Sequence, residues 1–153
     1  MYGSENPPSP VDQLGFWVVR LAQAVKAEYG SHLSGSDVGL TEYWALRCIH
    51  NGDGTCPSAI AQVLGVDRAQ ATRLVKNMAK RGWIRRSRDG ADLRTLHITI
   101  TDRGRSSYEQ LSRMVDQAER DFAQGFTTEQ LEQFQTLLNN RLNRAGGWDL
   151  KDF

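Results

Sequence analysis

Apolar residues recur along most of this chain with a helical period, and in one stretch the period drops to two. Between Val11 and Tyr29, Leu14, Val18, Leu21 and Val25 step by 4, 3 and 4, which is one face of a helix, and Phe16, Trp17 and Ala22 widen that face. The Gly- and Ser-rich run 30–39 predicts a connecting loop, with the first helix ending near Gly30. Thr41 has the chemistry of an N-cap for a second helix over 43–50, closed by Asn51-Gly52-Asp53-Gly54. Pro57 suits the first turn of a third helix, where a missing N–H costs nothing; Ile60, Ala61 and Leu64 form its apolar stripe and Gly65 its stop. Asp67 with Gln70 three residues on has capping-box spacing, and it opens a fourth helix whose inner face is Val66, Ala71, Leu74, Val75 and Met78, ending at Gly82.

After Gly82, Leu96, Ile98 and Ile100 alternate with Thr95, His97 and Thr99, a strand pattern. Trp83 to Arg86 can form the opposing strand, leaving Ser87 to Arg94, with Asp89-Gly90, as the hairpin loop. Thr101 then caps a long amphipathic helix with Tyr108, Leu111, Val115, Ala118 and Phe122 on one face. Gly125 interrupts it. Thr127 with Gln130 repeats the capping-box spacing, and Leu131, Phe134, Leu138 and Leu142 mark a last helix ahead of Gly146-Gly147. The expected fold is mainly α (α+β): two short helices joined by a Gly-containing turn and followed directly by a hairpin make a winged helix-turn-helix, whose second helix can enter a DNA major groove.

Composition narrows the class. A length of 153 residues suits one domain with its own core, so no staple of disulfides or metal is required. With 39% hydrophobic and 24% charged residues and no apolar run of membrane-spanning length, neither disorder nor a membrane partner is expected. Residues 1–10 hold three prolines among polar residues and lack a signal-peptide pattern; they read as a flexible tail of a cytoplasmic protein. Cys48 and Cys56 do not form a disulfide framework, in keeping with a reducing compartment.

Net charge is only +1, but its distribution is not even. Thr55 to Arg105 carries eleven Lys and Arg against four Asp, or +7; Met1 to Gly54 has three against six and Ser106 to Phe153 five against eight, or −3 each. A basic middle between acidic ends predicts that the middle meets a polyanion. On the fourth helix, Arg68, Gln70, Thr72, Arg73 and Lys76 are polar positions at or near the N-terminal half, where Arg can pair with guanine and Gln with adenine. In the hairpin, Arg85, Arg86, Arg88 and Arg94 stand against only Asp89 and Asp92, and an arginine at a loop tip can insert into a narrow minor groove. A solvated helix face would carry similar charges; the hairpin arginines shift the balance toward DNA.

These residues also carry a family pattern. Leu40-Thr41 with Trp44 and Leu46, Pro57-Ser58 with Ile60-Ala61, Leu64-Gly65-Val66-Asp67-Arg68, Thr72-Arg73-Leu74-Val75, Met78, Arg81-Gly82, Ile84 to Arg86, and Asp92-x-Arg94 with Ile100-Thr101 and Gly104 resemble the MarR family of bacterial transcription regulators (multiple antibiotic resistance regulators). The resemblance runs from about Leu14 to Leu142 and implies a single domain over 11–145: a winged lobe over about 40–104 and dimerisation helices over about 11–30 and 101–145. It implies a homodimer on a pseudo-palindromic operator in double-stranded DNA, with Arg94 in the minor groove and Asp92 orienting the wing. It further implies a repressor released by a small aromatic or phenolic anion.

For that effector, Trp17 and Arg20 on the first helix and Tyr43 and Arg47 on the second could supply flat walls and a cation for a carboxylate. Aromatic residues at helical spacing are more often packing, and the two arginines could equally pair with acidic neighbours. Two other readings remain open, a cysteine-based redox sensor through Cys48 or Cys56 and a winged helix used as a protein-interaction module. His32, His50 and His97 have no ligand spacing, so neither metal nor cofactor is expected. With no nucleophile motif, phosphate loop or paired carboxylates, catalytic residues are not expected either.

Overall fold

The computed structural model of the chain describes residues 9–89 and 92–146, with side chains for all of these except 89, 92–95, 145 and 146. The tail assigned to residues 1–10 lies outside the described residues up to residue 8, and Pro10–Asp12 is a short 3-10 turn. Six helices and one hairpin follow among the described residues: α1 Leu14–His32, α2 Leu40–Asn51, α3 Pro57–Leu64, α4 Arg68–Lys80, β1 Ile84–Asp89, β2 Asp92–Ile100, α5 Asp102–Ala123 and α6 Thr128–Gly146. No helix of the described residues is long and apolar enough to cross a membrane.

Three expected boundaries move. The first helix does not stop at Gly30 but continues to His32, because Tyr29 and Leu33 are both buried and the Leu33 N–H closes on the Tyr29 carbonyl. That anchoring outweighs the roughly 1 kcal/mol a helical glycine costs. The second helix begins at Leu40 with Gly39 as its N-cap, so Thr41 lies inside it; burial of Leu40 draws that residue into the first turn. The strands are longer than expected. β1 starts at Ile84 rather than Trp83 and runs through Asp89, so residues 87–89 and 92–94 are strand rather than loop. The ladder pairs Ile84 with Ile100, Arg86 with Ile98 and Arg88 with Leu96, shifting register between Arg88 and Asp89. Backbone hydrogen bonds, which the side-chain pattern cannot report, carry the hairpin outward past its last apolar pair.

Apart from Thr41, the caps read from sequence hold. The Asp67 carboxylate accepts from the Gln70 N–H at 2.7 Å at the start of α4. The Thr101 hydroxyl accepts from the Gly104 N–H at 3.0 Å at the start of α5. Thr127 and Gln130 exchange both capping-box bonds ahead of α6, at 2.8 and 3.2 Å. Pro57 opens α3, and Gly65 ends it in the left-handed region at φ 62°.

The core of the lobe forms where α2, α3, α4 and the hairpin meet α5. Tyr43, Leu46, Ile60, Val75, Met78 and Val115 are its largest fully buried side chains. Both ends of the hairpin are pinned to α5. The Thr101 hydroxyl donates to the Gly82 carbonyl at 2.7 Å, its N–H donates to the Trp83 carbonyl at 2.9 Å, and Gly104 packs directly against that same carbonyl. The Ile98 N–H reaches the Thr55 carbonyl at 2.9 Å, so the segment entering α3 joins the sheet edge.

The terminal helices lie largely outside this core, which α1 meets through Tyr29 and Val25 in its C-terminal half. Most of α1 is exposed, including Leu14 at 79% and Trp17 at 55%, and none of residues 128–144 of α6 is buried. Between α1, α5 and α6 runs an open apolar cleft of about 540 Å³, lined by Val18, Leu21, Val25, Phe122, Phe134 and Leu138 among others.

Candidate nucleic-acid interface

α4 presents two faces. Ala71, Val75 and Met78 are buried, while Arg68, Thr72, Arg73 and Lys76 are exposed and Gln70 is half-buried. The spacing of the buried residues fixes that division, since positions three or four apart share a side of a helix. Thr72 donates its hydroxyl back to the Arg68 carbonyl at 2.8 Å, leaving the oxygen's lone pairs as acceptors toward solvent. In the hairpin, Arg85, Arg86, Ser87 and Arg88 are all exposed. Asp92 and Arg94 belong to β2 by backbone, but their side chains lie outside the described residues.

None of Arg68, Arg73, Lys76, Arg86 or Arg88 is ion-paired to a carboxylate among the described residues. Other basic groups are engaged. Arg105 lies 3.8 Å from Asp102, Arg120 is held by Gln117, and Arg81 is drawn to Glu42. Free cations on one helix face, beside a basic strand, leave a surface able to neutralise phosphates and to offer bidentate donors to base edges.

The effector candidates divide. Trp17 is exposed, donates from Nε1 to the Val11 carbonyl at 2.8 Å and meets Phe16 edge-on, and Arg20 is exposed. Tyr43 is wholly buried and stacks on Tyr108 of α5, with centroids 6.1 Å apart and planes 10° from parallel, while Arg47 is exposed one turn on. No hydrogen bond, ion pair or ring contact joins the α1 pair to the α2 pair among the described residues, and none of the four lines the α1/α5/α6 cleft.

Two residues join the α2 group that the sequence reading did not single out. His50 stacks on Tyr108 with centroids 4.1 Å apart, and its Nδ1, like the Tyr43 hydroxyl, is buried without a hydrogen-bond partner among the described residues. Burial pushes the Tyr43 hydroxyl above its ordinary pKa, opposed by the Arg47 guanidinium. His50 was reachable from sequence, since 43, 47 and 50 share one helix face; Tyr108 was not, because only tertiary packing brings α5 over α2.

The cysteines differ. Burial pushes the Cys48 thiol up to about 11, whereas Cys56, half-buried at the N-cap of α3, is lowered by the Ser58 hydroxyl 3.0 Å from its sulfur. Among the described residues no group of three or more His, Cys, Asp or Glu could hold a metal ion.

Known proteins share this fold. The profile of the MarR family matches residues 39–96, the segment from the α2 N-cap into β2. The HTH-type transcriptional regulator TtmR of Methylorubrum extorquens is 32% identical over 103 residues, covering 67% of this chain. That match spans about half, 53%, of TtmR's own length. The PcaV transcriptional regulator of Streptomyces coelicolor, solved in complex with its natural ligand, superposes with a TM-score of 0.83 at 19% identity, covering 92% of this chain and 99% of PcaV. MepR of S. aureus, solved in a DNA complex, gives 0.77 at 20% identity, covering 90% of this chain and all of MepR. At these identities the two structures establish a shared fold. With the family profile over the helix-turn-helix and wing, and TtmR matching across two thirds of the chain, this protein belongs to the MarR family of transcriptional regulators.

Proposed function

We propose that the protein is a homodimeric, sequence-specific DNA-binding repressor whose grip on a pseudo-palindromic operator is loosened by a small aromatic or phenolic anion. The carrying observation is the exposed face of α4, where Arg68, Arg73 and Lys76 lack carboxylate partners among the described residues, continuous in charge with Arg86 and Arg88 of the hairpin. In this reading α4 enters the major groove, Gln70 and Thr72 meet base edges, and Arg94, beside Asp92, reaches the minor groove. MepR, the structural neighbour solved on DNA, supports the docking mode.

Dimerisation is argued from what is left uncovered. Leu14, Val18 and Leu21 of α1 and Leu137, Leu138 and Leu142 of α6 are large apolar side chains in water, on helices whose outer parts lie away from the lobe. A second copy covering both helices removes that patch, leaves the lobe over about 40–104 free to bind, and sets two lobes about one DNA turn apart. The protein then works beside the chromosome, in the cytoplasm.

For the effector, the Tyr43, Arg47, His50 and Tyr108 group offers a stacked aromatic wall, an exposed guanidinium beside the Tyr43 hydroxyl, and the buried His50 Nδ1. Trp17 and Arg20 join it only if the dimer brings them from α1. PcaV, a fold neighbour solved with its natural ligand, supports a ligand-responsive reading. An effector must prefer the lobe spacing that misfits DNA, since equal affinity for both spacings shifts nothing.

The test is Arg94→Ala, measured by fluorescence anisotropy on a duplex that the wild-type protein selects from a random pool. Affinity should fall by about 1–3 kcal/mol at fixed salt with dimer mass and melting unchanged. Unchanged affinity removes the wing from the reading surface.

A further inference from the structure

Arg81 is basic like its neighbours, yet its guanidinium turns inward to contacts within the protein. It stands at the C-cap of α4, immediately before the turn into the hairpin, and reaches three other segments at once. Nη2 donates to the Asp37 carbonyl at 2.6 Å, across 44 residues of sequence. Nε lies 3.4 Å from the Glu42 carboxylate in the first turn of α2, and the group sits 5.0 Å over the Trp83 ring. A planar guanidinium with five fixed N–H groups can meet a carbonyl, a carboxylate and an indole face together; an ammonium cannot.

Each partner is itself fixed. Asp37 belongs to the 33–39 turn that leaves α1, a segment built on buried Leu33 and Val38 and closed by the Ser36 hydroxyl donating to the Leu33 carbonyl at 2.6 Å. Asp37 is the one non-glycine with positive φ among the described residues, at 55°, a conformation that surrounding structure must hold. Glu42 is only 12% exposed, and without Arg81 its charge would be buried unpaired. Trp83 is buried and passes its carbonyl to Thr101 and its N–H to Met78, so it locks the root of the wing.

Resting on the DNA-reading proposal above, we propose that Arg81 is a positioning residue, holding the exit of α4 and the root of the wing in fixed register with the turn that leaves α1. A displacement of α1, the helix assigned to the dimer, is thereby passed to the reading surface.

The test uses two full-length variants, Arg81→Lys, which keeps the charge, and Glu42→Gln, which leaves the basic surface untouched. In both, amide hydrogen exchange should quicken together at 36–39 and at 84–88. Affinity for the selected duplex should fall about three- to tenfold, with affinity for an unrelated duplex and its salt dependence unchanged. A merely structural role would quicken exchange throughout and weaken both duplexes alike. Faster exchange confined to 36–39, or unchanged specific affinity in both variants, overturns the proposal. If the wild-type protein binds no duplex, the DNA reading fails by itself, and the exchange pattern still decides whether Arg81 couples the two segments.

Discussion

Gly104 sits at the third position of α5, where the chain leaves the wing, and replacing it with alanine tests the junction on which the wing's placement depends. A Cβ built there overlaps the Trp83 carbonyl oxygen and lies 2.9 Å from the carbonyl carbon and 2.8 Å from Ile100 Cγ1. The Ile100 methylene can move aside; the Trp83 carbonyl cannot, because it accepts the Thr101 N–H at 2.9 Å. Alanine gains up to about 1 kcal/mol of helix propensity over glycine. Against that stand overpacking of about 1–3 kcal/mol and about 1 kcal/mol for the disturbed hydrogen bond. The net expectation is a loss of about 2 kcal/mol, a fall in Tm of roughly 4–8 °C for a chain of this size. Urea and thermal unfolding at one fixed protomer concentration measure it, the concentration being fixed because a dimer's stability depends on it. Anisotropy on the selected duplex should weaken too, since the wing root shifts with Trp83. A Gly104→Ala protein as stable as the wild type would mean that α5 does not meet the wing as described.

Two further predictions concern single groups. Asp67→Ala removes the acceptor of the Gln70 N–H and should cost about 1 kcal/mol in chemical denaturation, whereas Asp67→Asn should lose less; an alanine variant with wild-type stability would contradict the cap. Cys48, pushed from 9.0 to about 11 by burial, binds its proton more tightly folded than unfolded, so the stability of its neutral form is whole below about pH 9 and is lost as pH rises toward 11. Tyr29 and Tyr43, also raised by burial, steepen the slope above about pH 10, so the difference between wild type and Cys48→Ala is best read from about pH 8 to 10. The wild type should lose stability faster with pH than Cys48→Ala, and parallel slopes would refute the burial account.

Much of this molecule is legible from sequence because its signals are local. Asp67, Thr101 and Thr127 have side chains that satisfy backbone N–H groups three residues on, so chemistry and position are read together. The inner face of α4 follows from spacing alone. What is not legible is tertiary. Gly30 looks like a stop until Tyr29 and Leu33 are seen to be buried beneath α1's last turn. Arg85 to Arg88 show no alternation, so the outer strand is invisible until its ladder to β2 is drawn. Arg81 reads as one more cation of a basic segment, and its contact with Asp37, 44 residues away, has no sequence signature. The effector group is half legible: Tyr43 and Arg47 lie on one turn pattern, but Tyr108 reaches them only through packing.

In the proposed function, α4 and the hairpin read duplex DNA electrostatically as well as by base contact. Arg68, Arg73, Lys76, Arg86, Arg88 and Arg94 give six candidate phosphate or base partners in each lobe. That reading is tested by the affinity of the wild-type protein for the selected duplex across a series of salt concentrations. Each neutralised phosphate contributes a slope of about −0.9 to log K against log salt, so two lobes with three to six phosphate contacts each should give a slope between about −5 and −11. A slope near zero would contradict the account.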